Sequence, residues 1–129
     1  MRILLDTHVW LWMVMAPDRL SAAARRLVSS SDTERVLSAA STWEMAIKYR
    51  LGKLKLPGDP AKLAPEWMAR TKIEPLAVLH RHALHVASLP PHHHDPFDRL
   101  LIAQAHLEEL PVLTSDPQFE RYDITVKRA

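Results

Sequence analysis

The sequence predicts an α/β fold in which helices are layered on a mostly parallel central sheet. Short apolar runs alternate with helical patterns along the 129 residues, the order that crossover-linked parallel strands impose. Carboxylates also stand where these apolar runs hand over to helix starts, at Asp6, Glu44, Asp98 and Asp116. In open α/β sheets such junctions gather outside the carboxyl ends of the strands, where ligands bind.

The elements follow in order. Ile3 to Leu5 is a short apolar run, expected as a buried strand. Thr7 to Met15 is apolar nearly all round and predicts a helix buried on several sides. Ser21 caps a helix through Ala22 to Val28. Val36 to Ala39 reads as the second strand, and Ser41-Thr42-Trp43-Glu44 carries the S-x-x-E pattern of a capping box opening a helix to about Leu51, with Gly52 near its end. A loop with Pro57, Gly58 and Pro60 follows, then helical pieces that Pro65 is expected to break or restart. Ile73 to Val78 holds a short strand, and His80 to Ala87 a helix ended by Pro90-Pro91. Asp95-Pro96-Phe97-Asp98 opens the strongest helix, to about Leu110, with an acid at the N-cap and proline at the first helical position. After Pro111 come a strand at Val112 to Thr114, a helix start at Asp116-Pro117 and a closing strand at Ile124 to Val126. No internal repeat, low-complexity segment or domain boundary interrupts the series, so residues 1–129 are expected to form a single domain with one core.

Composition narrows the chemistry. A 47% hydrophobic and 25% charged chain is ordinary for a soluble globular protein. With no cysteine, disulfides, thiolate zinc sites and cysteine nucleophiles are excluded. Only two glycines are present, which removes glycine-rich phosphate loops and dinucleotide fingerprints, and no G-x-S-x-G elbow occurs. The apolar start from Met1 to Met15 is broken by Asp6 and His8 and has no small-residue cleavage site before Pro17-Asp18. We therefore read a cytoplasmic protein without a membrane span. Lys48, Arg50, Lys53 and Lys55 form a basic run with no acid among them, either a solvated face or a contact for a polyanion.

Taken singly, each acid has an ordinary explanation. Asp6, Asp95 and Asp116 suit N-caps, while Glu44 and Asp98 suit third-position partners of capping boxes. Taken together they point elsewhere. Right-handed crossovers place every strand-to-helix junction on one edge of a parallel sheet, so Asp6, Glu44, Asp98 and Asp116 are expected to converge. Four like charges resist that unless a cation neutralises them. An all-oxygen nest suits Mg²⁺ or Mn²⁺, and phosphodiester hydrolysis is the chemistry such a centre serves.

The chain resembles the PIN-domain ribonucleases of the VapC type, the toxin half of bacterial and archaeal toxin–antitoxin pairs. The resemblance spans essentially the whole length. It is carried by Leu4-Leu5-Asp6-Thr7-His8, by Ser41-Thr42-Trp43-Glu44-Met45-Ala46-Ile47-Lys48 and by Arg50-Leu51-Gly52-Lys53-Leu54. Asp95-Pro96-Phe97-Asp98-Arg99-Leu100-Leu101-Ile102-Ala103-Gln104-Ala105 and Leu113-Thr114-Ser115-Asp116 complete it. It implies a three-layer α/β/α fold and an acidic site for one or two Mg²⁺ or Mn²⁺ ions. Asp6, Glu44, Asp98 and Asp116 match its four acids, with Asp95 as N-cap to Asp98. It further implies an RNA substrate, a homodimer and a cognate antitoxin whose tail covers the active site. A structure-specific DNA nuclease using the same acids, or a non-catalytic binding module, are the competing readings.

Among the eight histidines, which include His80, His82, His85 and the run His92-His93-His94, a zinc site is one reading and solvent-facing histidines the favoured one, since the spacing matches no standard zinc pattern; contact of the triple-histidine loop with substrate phosphate is a third. Lys48 follows Glu44 at the spacing of a helical ion pair. Arg99 is open between a phosphate contact and a nearby acid. Of Trp10, Trp12, Trp43 and Trp67, most are expected in the core or at a dimer interface. Thr114 or Ser115 is placed to orient a carboxylate or a water.

Overall fold

The structure, a computed structural model, describes residues 1–129. Five strands form one sheet: β1 (Arg2–Leu5), β2 (Glu34–Ser38), β3 (Ile73–Leu76), β4 (Val112–Thr114) and β5 (Val126–Arg128). Every pairing is parallel and the order is β3-β2-β1-β4-β5. Six helices join them: α1 (Thr7–Met15), α2 (Ala22–Ser29), α3 (Ala39–Arg50), α4 (Pro60–Arg70), α5 (His80–His85) and α6 (Pro96–Glu108). Single 3₁₀ turns occupy Pro17–Arg19, Val86–Ser88 and Pro117–Arg121.

The layering follows from the two-residue period of the strands. Ile3 and Leu5 face a cluster with Val9, Trp10, Leu37, Met45, Trp67 and Leu113, built on α1 to α4. Leu4 faces the opposite cluster with Val36, Leu101, Ile102, Val112 and Phe119, built on α6. Both faces of the inner strands are buried, and the result is the expected three-layer α/β/α arrangement. Trp10 and Trp67 lie in the core, whereas Trp43 is exposed beside Phe97. No helix is long and apolar enough to cross a membrane.

Several boundaries differ from the sequence expectation. Helix α3 starts at Ala39 rather than Ser41, because Ser38, the last residue of β2, caps it through a bond from the Ala40 N–H. The proposed capping box at Ser41 and Glu44 therefore does not form. Ser41 is fully buried in the first turn and accepts a hydrogen bond from the Thr7 hydroxyl, which ties α1 to α3. The start at Asp116-Pro117 yields only a 3₁₀ turn. The last strand begins at Val126, two residues late, because Ile124 is held in a turn by Tyr122.

Pro65 does not break the chain; α4 runs through it. Asp59 caps that helix, Pro60 occupies its first position, and Ala64 and Trp67 anchor it in the core. Packing has outweighed the missing N–H and the clash that an interior proline brings. We expect Pro65→Ala to raise the unfolding free energy by about 1 kcal/mol or more, out of the roughly 3 kcal/mol that an interior proline costs. Urea denaturation would measure it, and an unchanged midpoint would mean that the helix has relaxed fully around the ring.

Candidate active site

The chain runs from β1 outward through β2 to β3, then returns to lay β4 on the other side of β1. The strand order thus reverses between β1 and β4, the crevice where open parallel sheets bind ligands. Asp6 and Asp116 flank it. Asp6 directly follows β1 and caps α1, its Oδ1 accepting the Thr7 N–H at 2.8 Å. Its Oδ2 accepts the Thr114 hydroxyl from the end of β4 at 2.6 Å. His8 Nδ1 stands 3.3 Å from the same oxygen, and its Nε2 is 2.7 Å from Ser115 Oγ. Burial raises the Asp6 carboxyl above its ordinary range and the negative charge of Glu44 adds to this, while His8, Thr114 and Thr7 only partly counter them.

Asp116 caps the 3₁₀ turn after β4, with Oδ1 accepting the Gln118 N–H at 2.9 Å. Across the crevice Asp98 sits in the first turn of α6. Asp95 is the N-cap, its Oδ1 accepting from the N–H groups of Phe97 and Asp98. The Asp98 carboxyl is pushed up to about 8, first by burial and then by the charges of Asp6, Asp95, Glu44 and Asp116.

Glu44 enters from the second turn of α3 and is 6% exposed. Its Oε2 pairs with Lys48, whereas its Oε1 is buried with no hydrogen-bond partner. Burial works to lower the Lys48 ammonium, but its bond to Glu44 and the fields of Glu44, Asp95 and Asp98 leave it raised. Helix α3 ends where Gly52 takes φ +73°, with the Gly52 N–H bonded to Tyr49 O and the Lys53 N–H to Lys48 O. This is the left-handed glycine closure of a helix, and it turns Lys53 and Leu54 back over the site. Asp6, Glu44, Asp98, Asp116, Lys48 and Lys53 line one cleft of about 270 Å³.

All four acids singled out in the sequence therefore meet at this cleft. Thr114 orients Asp6, as one of the two options for the Thr114-Ser115 pair had it. The histidine expectation fails at His82, which is fully buried, and at His93, which is not solvent-facing. Its Nε2 lies 3.0 Å from Asp98 Oδ2 and 2.9 Å from Asp116 Oδ2, and its side chain is 13% exposed. Arg99 contacts no acid. It donates to the carbonyls of Val86, Leu89, Pro90 and His93 and to the Tyr122 hydroxyl.

The donor set fits a hard divalent cation. It is made of carboxylate oxygens, it carries excess negative charge, and Glu44 Oε1 is a buried acceptor that a metal ion would satisfy. Asp98 also makes the ion-free fold sensitive to pH. Because the folded protein binds this proton more tightly than the unfolded chain, the group supports the fold below its ordinary value of 3.8. That support is lost as pH rises through about 8. In EDTA, Asp98→Asn should therefore stabilise the protein at pH 8.5 by about 1–2 kcal/mol, with the gain shrinking toward zero near pH 4. Thermal melts of both proteins across this range would measure it; a gain independent of pH would contradict the assignment.

A model of the PIN domain family matches residues 3–124. Ribonuclease VapC16 of Mycobacterium tuberculosis is 45% identical over 71 residues, which is 52% of this chain and 50% of that protein. The chain thus spans about half the length of this curated relative. Among solved structures, VapBC2 from Rickettsia felis bound to a promoter DNA fragment aligns with a TM-score of 0.73 at 14% identity, covering 99% of this chain and 98% of that one. DNA-bound VapBC from Salmonella typhimurium gives 0.71 at 18% identity, covering 99% and 98%. FitAcB from Neisseria gonorrhoeae gives 0.59 at 20%, covering 96% and 95%. At these identities the structural likeness speaks to fold alone. The family match over nearly the whole chain, together with a parallel sheet whose carboxyl edge carries four acids, places the protein in the PIN-domain family.

Proposed function

We propose that the protein is a Mg²⁺- or Mn²⁺-dependent endoribonuclease, one PIN domain acting as the toxin of a toxin–antitoxin pair. The observation that carries this reading is the convergence of Asp6, Glu44, Asp98 and Asp116 on one cleft, with Glu44 Oε1 buried and unpartnered. The likeness to a ribonuclease VapC supports RNA as the substrate. The VapBC relatives support an antitoxin as partner, and a homodimer and a cytoplasmic setting belong to the same proposal.

Asp6, Glu44, Asp98 and Asp116 would hold one or two ions. A bound divalent ion supplies charge neutralisation at the phosphate and activates a water at neutral pH. The chain's own groups do the rest. Thr114 and the Thr7 N–H fix Asp6 in one orientation, so this carboxylate needs no rearrangement on binding. Lys48 holds Glu44 Oε2 and leaves Oε1 facing its unfilled contact. Lys53, turned over the cleft by Gly52, draws the anionic backbone toward the acids; Arg50 and Lys55 extend the same basic run. Binding that rests on these cations weakens as salt rises.

The test is cleavage of a mixed RNA pool and a DNA pool by folded, antitoxin-free protein with Mg²⁺, with Mn²⁺ and with EDTA. We expect metal-dependent RNA cutting that Asp6→Asn lowers roughly a hundredfold or more. DNA cut in preference to RNA would redirect the substrate assignment. RNA bound tightly and left intact under every condition would replace the enzyme with a binding module.

A further inference from the structure

We infer that His93 is a positioning residue for the metal site: its imidazole N–H, hydrogen-bonded to Asp116 while its nitrogen stands 3.0 Å from Asp98, fixes how these two carboxylates stand toward each other. The inference rests on the metal reading above and deepens it.

His93 is fixed at three points. Its backbone N–H donates to the Tyr122 hydroxyl at 2.7 Å, and its carbonyl accepts from Arg99 Nη1 at 3.2 Å. Its ring Nδ1 accepts the Asp95 N–H at 3.2 Å. Arg99 and Tyr122 in turn hold the carbonyl of Pro90, so the whole loop is clamped onto α6. A ring so held is not a mobile surface histidine.

The third contact decides the chemistry. A nitrogen that accepts a hydrogen bond carries no proton, so the neutral ring presents Nε2–H. That proton is hydrogen-bonded to Asp116 Oδ2 at 2.9 Å, Asp98 Oδ2 lies 3.0 Å from the same nitrogen, and the three ligand-type atoms lie within 4.8 Å of one another. To act as a metal ligand, Nε2 would have to give its lone pair, and the proton on Nδ1 would then face the Asp95 N–H. Donor would meet donor. His93 is also absent from the residues that line the cleft. It therefore neither ligates nor blocks an ion. It joins two acids delivered by separate elements, α6 and the turn after β4, through its hydrogen bond to Asp116 and its close contact with Asp98. Hydrogen-bond donors behind metal-binding groups of this kind commonly contribute about tenfold or more to affinity.

The experiment is Mn²⁺ titration without RNA, by calorimetry and by electron paramagnetic resonance counting of free Mn²⁺. The proteins are the native form, His93→Ala, His93→Gln and Tyr122→Phe. We expect His93→Ala to weaken Mn²⁺ binding about tenfold. His93→Gln, whose amide N–H reaches a similar place, should recover most of the loss. Tyr122→Phe, which loosens the loop without touching an acid, should weaken binding to a smaller extent. It carries the test if His93→Ala does not fold. Binding by His93→Ala as tight as the native protein's, or tighter, overturns the inference, as does a glutamine variant as weak as the alanine one. A native protein that binds no Mn²⁺ removes the metal reading itself, an outcome separate from any change among the variants.

Discussion

A parallel sheet delivers every strand-to-helix junction to one edge, and here that edge carries more negative charge than a buried site readily accepts. The rest of the site is organised around that repulsion. Asp6 is restrained by the Thr114 hydroxyl and the Thr7 N–H. Glu44 is half neutralised by Lys48. Asp116 gives one oxygen to a helical cap. Asp98, last to be accommodated, keeps a proton well above the usual carboxylate range. Each solution leaves at least part of a carboxylate directed at the cleft. On the metal reading proposed above, the site trades stability without a cation for readiness to take one, as functional sites commonly do.

The same edge explains why α3 matters beyond packing. The Ser41–Thr7 bond fixes α3 against α1, which sets where Glu44 enters. The left-handed turn at Gly52 then reverses the chain and brings Lys53 to the rim. Acids and cations thus line the same cleft, with Lys48 and Lys53 beside the four carboxylates.

The sequence made parts of this legible for physical reasons. Asp6, Asp98 and Asp116 stand beside strong local signals, namely apolar strands, prolines and helix starts, and those signals hold in three dimensions. Glu44 was found beside a capping pattern that does not form. The S-x-x-E spacing is local, but the helix start is decided where the β2 ladder ends, at Ser38 paired with Leu76. Pro65 signals a break that does not occur, because propensity carries no knowledge of the core that Ala64 and Trp67 enter. His93 could not be told from His92 or His94, since three equivalent rings differ only in what clamps the loop. The clamp comes from Arg99 and from Tyr122, which is distant in sequence. Arg99, read as a candidate for phosphate or an acid, spends its guanidinium on backbone carbonyls that no local pattern announces.

Asp95 serves two structures at once, the helix it caps and the loop before it. Its carboxylate closes the start of α6, and its N–H orients the His93 ring, while Arg99 one turn on grips the loop that carries that ring. Positions 93, 95 and 99 are thus joined through main-chain atoms: any residue but proline supplies the N–H at 95, and any residue supplies the carbonyl at 93. The hold of the loop on α6 therefore lies in the side chains of Arg99 and Tyr122, and position 95 is free to change its side chain at the cost of the helix cap alone.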